Sequence, residues 1–146
     1  MQIRVPKALF GIFSLATILG FADAVYLTIY HYSNIAVPCY IGSCEKVLSS
    51  PQAVMFGIPV AVYGVAYYFA VLLLLAIYFE SKNATALMLA ACATPLGFLA
   101  SAYFFYLQAA VIDAWCQYCL FSAFTSTVMF ACGIYLYFTH RSYRLT

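Results

Sequence analysis

Four apolar runs, each near the roughly 20 residues needed to cross a hydrocarbon core, leave this chain few ways to fold. They extend from about Ala8 to Tyr30, Ile58 to Phe79, Ala84 to Gln108 and Ala114 to Phe138. Inside a bilayer the backbone must satisfy its own polar groups, so runs of this length fold as helices. The expected fold class is therefore all-α, an integral membrane four-helix bundle forming one transmembrane domain over residues 1–146. Composition agrees, because a chain that is 67% hydrophobic and 7% charged is too apolar for a soluble core of 146 residues. A net charge of +2 with scattered basic residues offers no footprint for nucleic acid.

The first run follows Arg4 and Lys7, which imitates a secretory signal. It extends too far and lacks a small-residue cleavage site, so it is read as a retained helix. Across four spans, Arg4, Lys7, Lys82, Arg141 and Arg144 fall on one side and Lys46 alone on the other. By the positive-inside rule both termini are cytoplasmic. The connections that hold Cys39, Cys44, Cys116 and Cys119 then face the extracytoplasmic side, where disulfides form and persist.

Those cysteines carry the chemistry. Trp115-Cys116-Gln117-Tyr118-Cys119 places two thiols one helical turn apart where a polar break gives way to the last apolar run, with Asp113 in position to cap the helix. A thiolate in a first helical turn is stabilised by unpaired N–H groups and the helix dipole, and this predicts reactive cysteines. Cys119 lies three residues deeper than Cys116, about 4.5 Å by helix rise, and is expected to be held ionised there. Upstream, Ser33 to Phe56 is the longest connection, and Ser43 to Leu48 reads as a short capped helix begun by Cys44.

A structural disulfide within Cys116-x-x-Cys119 closes so short a loop that it removes little unfolded-chain entropy, whereas a loop disulfide at Cys39 and Cys44 is ordinary. Taken together, an outer and an inner pair suit a relay, because a soluble protein reaches a loop cysteine more readily than one at the mouth of a bundle. The alternatives are a non-catalytic, disulfide-stabilised scaffold and a zinc-binding one, since C-x4-C with C-x2-C supplies four thiolates.

Asp23 sits seven residues before Tyr30, about 10 Å below the outer surface by helix rise, and is a functional candidate as a proton donor or orienting group. His31 stands near the outer interface, where a histidine needs no special role. Cys92 and Cys132 lie toward the cytoplasmic ends of their helices and are expected to pack. The third run is rich in small residues that let helices approach closely, and Pro95 is expected to bend it. Most of the 14 tyrosines and 13 phenylalanines belong to interfacial belts and packing, but outer-half residues such as Phe56 and Tyr63 are candidates, with Asp23, to contact a flat aromatic cofactor.

The four spans, Cys39 and Cys44 in a long first outer loop, Val47-Leu48-Ser49-Ser50-Pro51 leading to Phe56-Gly57-Ile58-Pro59, and a CxxC opening the last span resemble the vitamin K epoxide reductase family. Ala22-Asp23 and Tyr26-Leu27-Thr28 look like its bacterial and archaeal branch, and the match covers nearly the whole chain. The resemblance implies a thiol:quinone oxidoreductase that re-oxidises a soluble thioredoxin-like or DsbA-like protein and reduces a membrane quinone of menaquinone or ubiquinone type. It implies that Cys39 exchanges with the partner, Cys44 passes electrons to Cys116, and Cys119 lies against the quinone. No thioredoxin-like domain accompanies the four spans, so the partner is expected to act in trans. Vertebrate members have a tyrosine where this chain has Ala123, a departure that bears against epoxide reduction. A DsbB-type oxidase, which performs the same reaction, places its CxxC in the first outer loop instead.

Overall fold

The computed structural model describes residues 5–145, with side chains described through Arg141. Arg4, and the side chain of Arg144, both used in the charge argument, lie outside the described residues. The elements are α1 (Lys7–Ser33), α2 (Cys44–Leu48), β1 (Val54–Met55), β2 (Ile58–Pro59), α3 (Val60–Ser81), α4 (Ala84–Tyr106) and α5 (Gln117–Leu145). A π turn, Leu107–Ile112, prolongs α4, so the four apolar spans are Lys7–Ser33, Val60–Ser81, Ala84–Ile112 and Gln117–Arg141. The all-α membrane bundle anticipated from the apolar runs is the observed fold.

The boundaries follow local chemistry. Asn34 ends α1 in the left-handed region at φ 52°, a conformation asparagine tolerates. Lys82 does the same for α3 at φ 52°, and the Asn83 side chain then accepts a 2.9 Å bond from the Thr85 N–H to start α4. Ile58 and Pro59, expected to begin the second span, instead pair with Met55 and Val54 in a small antiparallel hairpin. Its turn residues Phe56 and Gly57 both have positive φ, as a tight two-residue hairpin requires.

Around the bundle, α1 packs on α3 and α5, and α4 packs on the same two helices. Phe13, Val71, Leu87 and Met129 are fully buried at its centre. Tyr68 crosses the interior from α3, its hydroxyl 3.1 Å from Thr125 Oγ1 and 3.2 Å from Ser122 Oγ on α5. Partnering of this kind is needed because an unpaired hydroxyl in hydrocarbon is costly. Gly20 of α1 makes the room, since a Cβ there would run into the Tyr68 ring.

Pro95 lies inside α4 without ending it. Cys132 is in the core, but Cys92, expected to pack, is exposed. On α4 the buried stripe is Ala90, Ala91, Thr94 and Gly97, and position 92 falls to the side of it at about 100° per residue. Lys7, Lys82 and Arg141 gather at one end of the bundle, while Lys46 lies at the other, in α2 with Cys44.

Gly20→Val should overpack the α1 and α3 contact and cost about 1–3 kcal/mol. Thermal unfolding in detergent should show the loss, whereas Gly11→Val, whose added Cβ would have no atom within 4 Å, should show none.

Candidate functional site

The outer loop is laid across the start of α5 as an extra strand. Gly42 and Cys116 form an antiparallel bridge, and the Ser43 N–H donates to the Trp115 carbonyl at 2.8 Å. Gly42 has φ +90°, and a Cβ there would strike the Trp115 carbonyl oxygen, so only glycine serves. The Gln117 side-chain oxygen accepts from the N–H groups of Tyr40 at 3.3 Å and Ile41 at 3.1 Å. The Tyr118 hydroxyl donates to the Pro38 carbonyl at 2.7 Å, and Lys46 Nζ donates to the Asp113 carbonyl at 3.4 Å.

Two expected caps are therefore absent. Ser43 makes no side-chain cap bond to α2, because its N–H is drawn to Trp115. Asp113 adopts a left-handed conformation at the end of the π turn, three residues short of the helix start, and does not cap α5.

From below, α4 holds the same segment. Gln108, 2% exposed, accepts the Cys116 N–H on its side-chain oxygen at 2.8 Å and the Ala114 N–H on its main-chain carbonyl at 3.1 Å. The π turn begins one residue earlier. Such bulges gather at functional sites because they re-aim the side chains they contain.

All four candidate cysteines meet here. Cys44 and Cys116 are both 0% exposed and share one buried cluster with Val47 and Ala114, against which Cys39 and Cys119 pack. Cys39 and Cys44 are joined by a disulfide, with 5.8 Å between their Cα atoms. Cys116 and Cys119 are unbonded. The Cys116 thiol is pulled down to about 7, chiefly by a hydrogen bond from the Cys119 side chain, with the N–H groups of Cys119 and Tyr118 helping against burial. Cys116 immediately precedes α5, so its sulfur occupies the capping position that a helix start offers an anion. The sequence placed the favoured thiolate at Cys119; the geometry gives that role to Cys116 and makes Cys119 the donor.

Under the loop, the helices enclose a cavity of about 900 Å³. Asp23, Leu27, Tyr67, Phe104, Gln108 and Cys119 are among its lining residues, and Cys116 is not. Tyr63 also lines it, although its hydroxyl is engaged with the Met55 carbonyl at 3.2 Å. Phe56 does not line it. Held at φ 53° in the hairpin turn, its ring is 94% exposed and points away from the bundle. Asp23 is 8% exposed, and its Oδ2 has no hydrogen-bond partner among the described residues.

Gln108, Gln117, Tyr118 and Gly42 escaped the sequence reading. Gln108 carried a signal, as a lone amide at the end of an apolar run, where a polar group demands a partner. The others had none, because their roles depend on where the loop lands.

Two cysteine pairs in one buried cluster at one end of a four-span bundle define a membrane protein built for thiol-disulfide chemistry. The vitamin K epoxide reductase family model matches residues 8–134, and the chain belongs to that family. The family consists of membrane thiol-disulfide oxidoreductases that act with quinones, generally alongside thioredoxin-like partners. No curated protein matches the chain in sequence comparison.

Replacing Cys119 with alanine removes the largest stabiliser of the Cys116 thiolate. The ultraviolet absorbance of that thiolate, which should titrate near pH 7 in the native dithiol, should move to higher pH in Cys119→Ala.

Proposed function

We propose that this protein re-oxidises a soluble thioredoxin-like protein of DsbA type, acting in trans, and passes the electrons to a membrane quinone, thereby supporting disulfide formation outside the cytoplasm. The observation that carries this reading is the seating of Cys44 against Cys116, both fully buried, with Gly42 bridged to Cys116. Exchange between the pairs needs no long excursion of the loop.

In the proposed relay, a partner thiolate attacks Cys39 of the loop disulfide and releases the Cys44 thiolate. The partner's second thiol resolves the mixed disulfide and leaves oxidised partner and a Cys39–Cys44 dithiol. The Cys44 thiolate then attacks Cys116 of an oxidised CxxC and releases Cys119, and Cys39 resolves the resulting bond. The net result is two electrons and one proton moved from partner to CxxC, which is left as the Cys116 thiolate and the Cys119 thiol. Attack on a buried sulfur is orderly here because Gln108 and the Gly42 bridge hold the Cys116 backbone from both sides.

The cavity fits a quinone. Its wall is largely apolar, as a flat ring and prenyl tail require, and it includes one cysteine among the described residues, Cys119, together with Asp23, whose Oδ2 has no partner there. A bound quinone supplies a two-electron, two-proton acceptor. Cys119, as the CxxC sulfur on the cavity wall, is the residue from which those electrons leave as the dithiol closes to its disulfide. Tyr63 and Asp23 flank the ring site in this reading, and Phe56 takes no part.

Orientation follows from charge. Lys7, Lys82 and Arg141 mark the end opposite the cysteines, which supports cytoplasmic termini and extracytoplasmic exchange chemistry. An impermeant thiol reagent should therefore reach reduced Cys39 in intact cells; labelling only after lysis would refute the orientation.

The relay order is tested by Cys119→Ser. In that variant the Cys116 thiolate can attack Cys44 of the loop disulfide and release Cys39. No Cys119 thiol is present to carry the bond onward and only back-attack by Cys39 opens it, so non-reducing peptide mapping should recover the Cys44–Cys116 crosslink, and consumption of quinone with reduced partner should stop. Unimpaired quinone consumption by the variant would leave the disulfide-stabilised scaffold as the better reading. A zinc-binding scaffold is disfavoured already, because the Cys39–Cys44 disulfide takes up two of its four thiolates.

A further inference from the structure

Asp23 is the one buried side chain among the described residues with a polar atom left unpartnered. It sits in the middle of α1, 8% exposed, on the wall of the cavity that also contains Cys119. Other buried polar groups of the bundle are paired: Tyr68 with Ser122 and Thr125, Thr17 with the Phe13 carbonyl, Thr94 with the Ala91 carbonyl. Asp23 alone is left with an unpartnered atom, and the residue borders the space that a ligand would fill. Among the described residues no lysine or arginine lines the cavity, so none of their cations sits beside the carboxyl. A lone charge in such a setting is costly, so the group holds its proton.

Resting on the quinone-reductase reading above, we propose that Asp23 is a catalytic acid that delivers one of the two protons required when the CxxC dithiol gives up its electrons. The dithiol starts as the Cys116 thiolate hydrogen-bonded by the Cys119 thiol. Closing Cys116 and Cys119 into a disulfide releases two electrons and only one proton, from the Cys119 thiol. The quinone takes up two electrons and two protons, so one proton is missing, and Asp23 supplies it and becomes a carboxylate. Charge balances, because the negative charge that began on Cys116 ends on Asp23. Water returns the proton along the same helix face, where Tyr30 and His31 line the cavity two turns nearer its exposed mouth.

The arrangement also explains why the acid is buried. A carboxyl open to water would be ionised at neutral pH and hold no proton to give. Buried deep in a largely apolar chamber, it keeps the proton until the thiolate's charge is discharged nearby, and charges on Asp23 and on the two CxxC sulfurs are close enough to act on one another.

The test uses the full-length protein in detergent with a short-tailed benzoquinone. Asp23→Asn keeps the size and a hydrogen-bond donor but has no transferable proton. Its benzoquinone affinity should match the native protein, while single-turnover oxidation of its pre-reduced CxxC should slow by about 10²- to 10⁴-fold, the usual worth of a general acid. Asp23→Glu should recover part of that rate. Independently of quinone, infrared spectra of the native protein at neutral pH should show a protonated carboxylic acid band that Asp23→Asn removes. An undiminished single-turnover rate, lost benzoquinone binding in Asp23→Asn, or absence of the infrared band would each overturn the proposal. Failure of benzoquinone to oxidise the native CxxC at all would instead sink the quinone-reductase reading, and this inference with it.

Discussion

The contact on which this structure depends is the docking of the outer loop onto the first turn of α5. A segment with two prolines, a glycine and a single five-residue helix has little intrinsic order and, left free, would sample many conformations. It is ordered by polar groups it does not own. Gln117 gathers two loop N–H groups on one oxygen, the Trp115 carbonyl accepts a third, and the Tyr118 hydroxyl donates to the Pro38 carbonyl. Three residues in and just before the CxxC, Trp115, Gln117 and Tyr118, thus act as the mould for the loop. Any change that rotates the start of α5 moves the loop with it, and the loop pair stays in register with the inner pair.

The membrane adds a second constraint, which sharpens the meaning of every polar residue. Serine and threonine hydroxyls in the spans turn back onto carbonyls one turn earlier, as Thr28 does to Ala24, or meet across helices, as Ser101 and Ser126 do at 2.6 Å. Gln108 spends its oxygen on Cys116 and its amide on the Phe104 carbonyl at 3.4 Å. In a medium with no water to fall back on, that thrift is expected, and each pairing ties helices together as well as satisfying atoms. Asp23 stands out against this background only because its neighbours are so fully accounted for.

Much of the fold was legible in the sequence, because apolar length and basic residues at chain turns act through the bilayer and need no tertiary detail. The four spans, the α2 helix begun by Cys44 and the tight turn at Lys82 and Asn83 all follow from local composition. The four cysteines could be singled out because their spacing is chemical and survives any packing. The failures share one cause. Asp113 and Ser43 looked like caps by residue type, but long-range bonds to Lys46 and Trp115 set their backbones. Phe56 looked like a pocket aromatic by its position, but a hairpin turn that no apolar period announces faces it outward. Cys92 reads as a packing residue by its place toward the cytoplasmic end of its helix, though only one face of α4 is covered.

The same long-range geometry divides the two CxxC cysteines in a way that spacing alone cannot. From the sequence, depth points to Cys119 for the quinone step, and the helix start is expected to hold that same cysteine ionised. Yet a helix start stabilises an anion at its capping position, through N–H groups that point outward along the axis, and that position is Cys116. Cys119, one turn further in, has its own N–H bonded to the Cys116 sulfur and its thiol directed there as well. The outcome is a dithiol with its negative charge toward the loop and its proton toward the cavity. In the proposed relay this polarity suits each sulfur to its neighbour: Cys116, the better leaving and attacking group, meets the Cys44 sulfur, while Cys119 borders an apolar chamber in which a standing charge would be costly.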